Sequence, residues 1–290
     1  MRRPADIAKE EDLMGTLVEL SSAFEGIASM RIAQIKNQVQ QSSQFFNELW
    51  HIYSQLRAGD AFSFGRIESK GKEIMDKELL IIITAEGGLS GDIDQKLVEM
   101  MLASYNKNNN DIIAIGRHGA TQLAQRGIAC LRFFKLPQKD ININVEPVEQ
   151  LVRRYRTTQL FYQQYISLMV QTVRRIELSN AVAQRGQATS MSKEDIIDTT
   201  TYIFEPSSYE VAAHLERSMI KIAITELILE SKLAQYASRF RAMTASHELA
   251  DSSKQSLHIE YNRARRSIKD ERLKEVINGL KRSSVRRAYS

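Results

Sequence analysis

The last third of the chain carries the feature that most limits its fold. From Ser207 to about Arg287 there is no proline, and the only glycine is Gly279. Stepping by seven from Leu215 meets Ile222, Leu229, Tyr236, Met243, Ala250, Leu257 and Ala264. Four residues later runs a companion row of Met219, Glu226, Leu233, Phe240, His247, Lys254, Tyr261 and Ile268. A register kept this long predicts one coiled-coil helix rather than a series of ordinary globular ones. Fully formed, it would extend ~120 Å. A compact domain of this chain length has a radius of gyration of only ~19 Å, so the seam must be buried against a second long helix or against partners.

The N-terminal segment supplies that second helix. From Ala5 to about Arg57 there is no proline, and only Gly15 and Gly26 interrupt. Leu13, Leu17, Leu20, Phe24 and Ile27 recur at spacings of four and three, which predicts a seam. It turns polar at Arg31, Gln34, Gln38 and Gln41, then apolar again at Phe45, Leu49, Trp50, Ile52, Tyr53 and Leu56. Such a helix would span ~80 Å. The expected architecture is α/β, with a long antiparallel coiled coil of the N- and C-terminal helices and a Rossmann-like α/β domain inserted between them. The expected boundaries are 1–60, 77–200 and 207–290.

The insert alternates strand and helix signals. Strands are expected at 79–84, 111–115 and 128–135, and helices at 92–107, 118–126 and near 147–156, with Gly127 ending the second helix. "TTQLFYQQYISLMV" and "QTVRRIELSNAVA" read as a hairpin-like edge, and 183–195 as a polar loop. The first strand runs into "TAEGGLSGDID", a glycine turn of the kind that can cradle phosphate. A phosphate-binding loop, however, needs a lysine after its last glycine, and here Asp92 follows Gly91. The dinucleotide spacing is also missing, and Glu86, Asp92 and Asp94 would repel an anion at the helix start. A tight strand-to-helix turn is the preferred reading, with Asp92 as cap and Gln95 closing a capping box.

Catalytic signatures are missing elsewhere too. His51, His118, His214, His247 and His258 form no His-x-x-x-His pair, and no Cys-x-x-Cys or Gly-x-Ser-x-Gly occurs. The expectation is a protein that is not itself catalytic and needs no cofactor. The single cysteine, Cys130, cannot pair within the chain, which points to a reducing compartment. No apolar run approaches the ~20 residues of a membrane span, so no membrane insertion is expected. The net charge of +5 is concentrated near the end. There Arg263, Arg265, Arg266, Lys269, Arg272, Lys274, Lys281, Arg282, Arg286 and Arg287 face only Asp270, Glu271 and Glu275. That block calls for an anionic partner.

Four blocks carry a family resemblance. "SSAFEGIASMRIAQ" (21–34) is similar to a Thr-Lys-Ala-Met-Glu-Met-Val-Ala-Ala-Ser-Lys block. "IITAEGGLSGDID" is similar to Ser/Thr-Asp-Arg-Gly-Leu-Cys-Gly-Gly-Leu-Asn, and "YIFEP" (202–206) to Tyr-x-Tyr-Glu-Pro. "SRFRAMTASHELADSSKQSLHIEYNRARR" (238–266) matches, without a gap, a block running from Ala-Arg-Met to Tyr-Asn-Lys-Ala-Arg-Gln. The chain thus resembles the gamma subunit of F-type ATP synthase, the central rotor shaft, over nearly its whole length, as a divergent bacterial-type member.

The resemblance implies a shaft that couples rotation of a membrane c ring to conformational changes in catalytic beta subunits during proton-driven ATP synthesis or hydrolysis. Its partners would be the alpha and beta subunits, epsilon and the c ring, and its place the cytoplasmic face of the cell membrane. Arg239, Arg265, Arg266, Glu25 and Arg31 would meet the catalytic ring, and Tyr202 and Glu205 the c ring or epsilon. Ser21-Ser22, Phe24, His247-Glu248-Leu249, Arg266 and an acidic start (Asp6, Glu10, Glu11, Asp12) depart from the family pattern. The alternative is a coiled-coil scaffold for an anionic partner such as nucleic acid. The resemblance implies no nucleic acid, and few aromatic residues are interleaved with the basic block.

Overall fold

A computed structural model describes residues 2–56, 75–138, 140, 143–182, 205 and 208–288. In chain order these form α1 (Pro4–Leu56), β1 (Met75–Ile83), α2 (Ile93–Ser104), β2 (Asn110–Ile115), α3 (Arg117–Gln125), β3 (Arg132–Phe134), α4 (Glu146–Val152), β4 (Tyr155–Tyr165), β5 (Gln171–Glu177) and α5 (Ser208–Ala288). Pro4 opens α1, where a missing N–H costs nothing because that group has no helical partner. Two compact units result: residues 1–26 with 242–290, and residues 27–241.

In the first unit α1 and α5 run antiparallel. Thr244 donates to Glu25 at 2.9 Å and His258 Nδ1 lies 2.9 Å from Glu11, so fourteen residues down α1 match fourteen up α5. Of the rows read from α5, Met243, Ala250 and Ala264 are buried, while the companion row is half-buried at His247, Lys254 and Tyr261 and exposed at Ile268. The expected seam of α1 does not hold. Leu13, Leu17, Leu20 and Phe24 are exposed, while Ile7 and Ser21 are buried. Both rows have spacings of three and four, but a shift of one residue turns a helix by ~100°. The inner row, Met14, Val18, Ser21 and Glu25, is the expected row moved along by one residue, and the more apolar row is left outside.

In the second unit the sheet order is β3-β2-β1-β4-β5, parallel except for β5. Alternation along β1 sorts its side chains between two layers. Leu79, Ile81 and Ile83 join a core with Phe46 and Tyr53 of α1 and Met219, Ile224 and Ile228 of α5. Leu80 and Ile82 join Leu97, Val98 and Met101 of α2 and Leu123 of α3. The sheet is therefore covered on both faces, which explains the unbroken apolar run 79–83. Ser43 donates to Glu226 at 2.7 Å and Tyr53 to Glu216 at 2.5 Å, again antiparallel.

Several local expectations change. The expected hairpin forms, β4 and β5 pairing antiparallel, but β4 also bonds to β1, so of the two only β5 lies at an edge of the sheet. β3 shrinks to three residues and α2 ends at Ser104. The capping box does not form: Asp92 makes an ion pair with Lys96 at 2.7 Å, and Gln95 donates to Glu99. The loop expected at 183–195 lies outside the described residues.

Candidate functional site at the carboxyl ends of the strands

In a sheet of this order, ligands bind where neighbouring connections leave in opposite directions, here beyond the ends of β1 and β4. The end of β1 is tightly built. Gly119 N–H donates to Thr84 Oγ1 at 2.9 Å. Gly116 adopts φ +100°, and a Cβ there would sit 2.0 Å from the Thr84 carbonyl oxygen. Only glycine fits this approach. Leu89 and Gly91 turn the loop into α2 with φ of 68° and 66°.

Helix α5 occupies the crevice that this geometry creates. Asp94, in the first turn of α2, is 1 % exposed. Its Oδ1 accepts from Gln163 Nε2 of β4 at 2.5 Å, and its Oδ2 lies 2.7 Å from His118 Nδ1 of α3. The N–H of Ala85 points at the same carboxylate from 3.4 Å. Gln163 Oε1 in turn accepts from Ser231 and from Gln235 Nε2 at 3.1 Å, both on α5. One turn on, Ser238 donates to the Ser90 carbonyl at 2.7 Å and Arg239 to the Gly88 carbonyl at 3.3 Å. Lys232 donates to the Pro137 carbonyl at 2.7 Å and pairs with Asp140.

These contacts settle what the glycine loop does. Two of its carbonyls serve as acceptors for α5, and the helix start that would attract a phosphate carries Asp92 and Asp94. Burial pushes the Asp94 carboxyl above its ordinary range, partly offset by the His118 hydrogen bond. The Asp94 carboxylate is held by one imidazole and one amide, which tie α2, α3 and β4 together. The arrangement is a joint between the sheet and α5.

The residues anticipated from sequence divide as follows. Arg239 is engaged within the chain, with its guanidinium also 5.3 Å from the Tyr236 ring centroid. Arg31 reaches Gln34 at 3.3 Å and Asp140 at 3.7 Å, and Glu25 accepts from Thr244. Arg265, Arg266 and Glu205 are exposed. Tyr202 lies outside the described residues. The surface that sequence reasoning assigned inward is the α1 stripe of Leu13, Leu17, Leu20 and Phe24. Beyond Ala264, residues 265–279 of α5 are nearly all exposed, Leu273, Val276 and Ile277 among them.

A family profile described as ATP synthase matches residues 15–281. The chain belongs to the ATP synthase gamma-chain family. It is 22 % identical over 279 residues to the ATP synthase gamma chain of Cytophaga hutchinsonii, covering 90 % of this chain and 92 % of that one. It is 23 % identical over 277 residues to the gamma chain of Fusobacterium nucleatum, with the same coverage. Among solved structures, the Euglena gracilis mitochondrial ATP synthase rotor aligns with a TM-score of 0.57 at 13 % identity, covering 91 % of this chain and 99 % of that one. The Tetrahymena thermophila central stalk and c-ring structure aligns with a TM-score of 0.55 at 17 % identity, covering 78 % and 98 %. These structures share the fold. As a gamma chain, this protein is a central-stalk subunit of ATP synthase. No helix among the described residues is long and apolar enough to cross a membrane, consistent with a peripheral place in the complex.

Proposed function

We propose that the chain is the shaft through which c-ring rotation reaches the catalytic beta subunits, and that it makes and breaks no bonds itself. The observation that carries this is the pair of outward surfaces on a helical pair already satisfied within: the apolar stripe of α1 and the basic, exposed end of α5. Alpha and beta subunits would cover these surfaces, with Arg265 and Arg266 meeting acidic segments of the ring. Burying what remains of each stripe residue is worth about 1 kcal/mol. A rotating shaft whose faces differ makes different contacts with each catalytic subunit, and differential contacts are what shift conformational equilibria. Glu25, Arg31 and Arg239 act with the ring in this reading while also bracing the shaft. Tyr202 and Glu205 belong to the face toward epsilon and the c ring. The complex sits on the cytoplasmic face of the cell membrane.

Pull-down of the tagged chain from native membranes, read by mass spectrometry, tests this. Alpha, beta and epsilon subunits are expected in the eluate, and deletion of residues 250–290 should abolish coupling between ATP hydrolysis and proton pumping. An eluate dominated by nucleic acid, without those subunits, would reject the proposal.

A further inference from the structure

We infer that the grip of α5 on the α/β sheet is linked to proton binding at the Asp94–His118 pair. The linkage goes beyond the shaft reading and depends only on residues 27–241.

Three observations carry it. First, Asp94 is buried while the His118 side chain is 36 % exposed, so a proton reaches the pair from solvent through the imidazole. Second, Asp94 is one residue removed from α5. Its Oδ1 accepts from Gln163, and the other end of that amide accepts from Ser231 and Gln235. A carboxylate only accepts, so it fixes which end of the amide faces α5. Third, the charged groups facing Asp94 are few: His118 from α3 and, at longer range, Arg239 from α5. β4 contributes the neutral Gln163 and the end of β1 a backbone N–H.

One added proton can rest on either partner of the 2.7 Å bond, as imidazolium beside carboxylate or as carboxyl beside neutral imidazole. In both forms Oδ1 still accepts from Gln163, so the chain of hydrogen bonds to α5 persists. Without that proton, the pair holds a net negative charge out of water, which is costly. Burial raises the proton affinity of the Asp94 carboxyl more than the Arg239 charge on α5 lowers it, and the linkage assigns part of that burial to α5, which packs over Gln163. By reciprocity, the proton must favour seating by the same factor. A carboxyl raised in the seated state contributes grip that is fully present below its ordinary value near 3.8 and is lost as pH rises through its seated value. Acid therefore tightens this joint and alkali loosens it. In a rotor this is the joint that carries torque from foot to shaft, a consequence that rests on the shaft reading.

Hydrogen exchange of the full chain tests the linkage without any partner subunit. Amides of 228–240 are followed between about pH 4 and pH 8, corrected for intrinsic exchange. Protection of this segment is expected to rise on acidification in the wild type and to be flat in Asp94→Asn. Ser231→Ala removes one hydrogen bond to α5, so it should lower protection throughout yet keep the slope. His118→Gln removes the group that holds the Asp94 carboxyl down, so its transition should move to higher pH. A flat wild-type profile, an unchanged slope in Asp94→Asn, or an unmoved transition in His118→Gln would each overturn the inference. Pull-down of partner subunits is a separate readout, so failure of this linkage and failure of the shaft reading are distinguishable.

Discussion

Alanine at Ile7 should destabilise the chain far more than alanine at Leu13, because Ile7 lies on the inner face of α1 and Leu13 on the outer. By residue pattern Leu13 belongs to the apolar seam, and Ile7 lies outside it. In the structure Ile7 is 1 % exposed and Leu13 is 59 % exposed. Truncating a fully buried isoleucine costs about 2–5 kcal/mol, because transfer and cavity contributions add. Leu13 has only the remaining two-fifths of its surface covered. With full burial of a leucine worth about 2 kcal/mol, its truncation costs about 0.8 kcal/mol, offset in part by the helix preference of alanine. The two variants should therefore separate by at least about 1 kcal/mol in urea unfolding followed by helical circular dichroism. Equal losses, or a larger loss for Leu13→Ala, would show that α1 is rotated from the described pairing. The same variants should behave oppositely in the assembled complex, where Leu13→Ala weakens retention of the alpha and beta subunits.

Two other substitutions probe the second unit. Gly116→Ala places a methyl 2.0 Å from a backbone carbonyl at φ +100°, so a loss beyond about 4 kcal/mol is expected, seen as failure to accumulate soluble protein. Gly127→Ala, at φ +73° with nothing within 4 Å, is the control and should cost only about 1–2 kcal/mol. Tyr53→Phe removes a 2.5 Å donor to the buried Glu216 carboxylate and should lower the urea midpoint by the equivalent of about 1–3 kcal/mol. An unchanged midpoint would mean that this hydrogen bond does not help fix the register.

Much of the joint could be read in the sequence only as fragments. The glycine loop was readable as a turn, and its acidic residues argued against phosphate. That Asp94 would meet His118, Gln163 and Ser231 was not readable, because the hydrogen bonds that link them in turn, Asp94 to His118, Asp94 to Gln163 and Gln163 to Ser231, span 24, 69 and 68 positions along the chain. No local period marks a polar side chain destined for burial. Ser231 and Gln235 fall between the rows of the α5 heptad and look like solvent positions until the sheet is placed against them.

Residue order alone requires that both ends be long helices, that α5 present the row from Leu215 to Ala264 inward, and that the insert alternate strand and helix. Each follows from a period or a missing proline, properties local to the chain. Packing chose which face of α1 turns inward, and it placed α5 in the crevice where a related sheet would hold a ligand. α1 offers two rows with nearly the same spacing, and hydrophobicity favours the wrong one. The choice falls to the partner helix, whose Thr244 and His258 meet Glu25 and Glu11 of the inner face, and no count along a single helix contains its partner's contour.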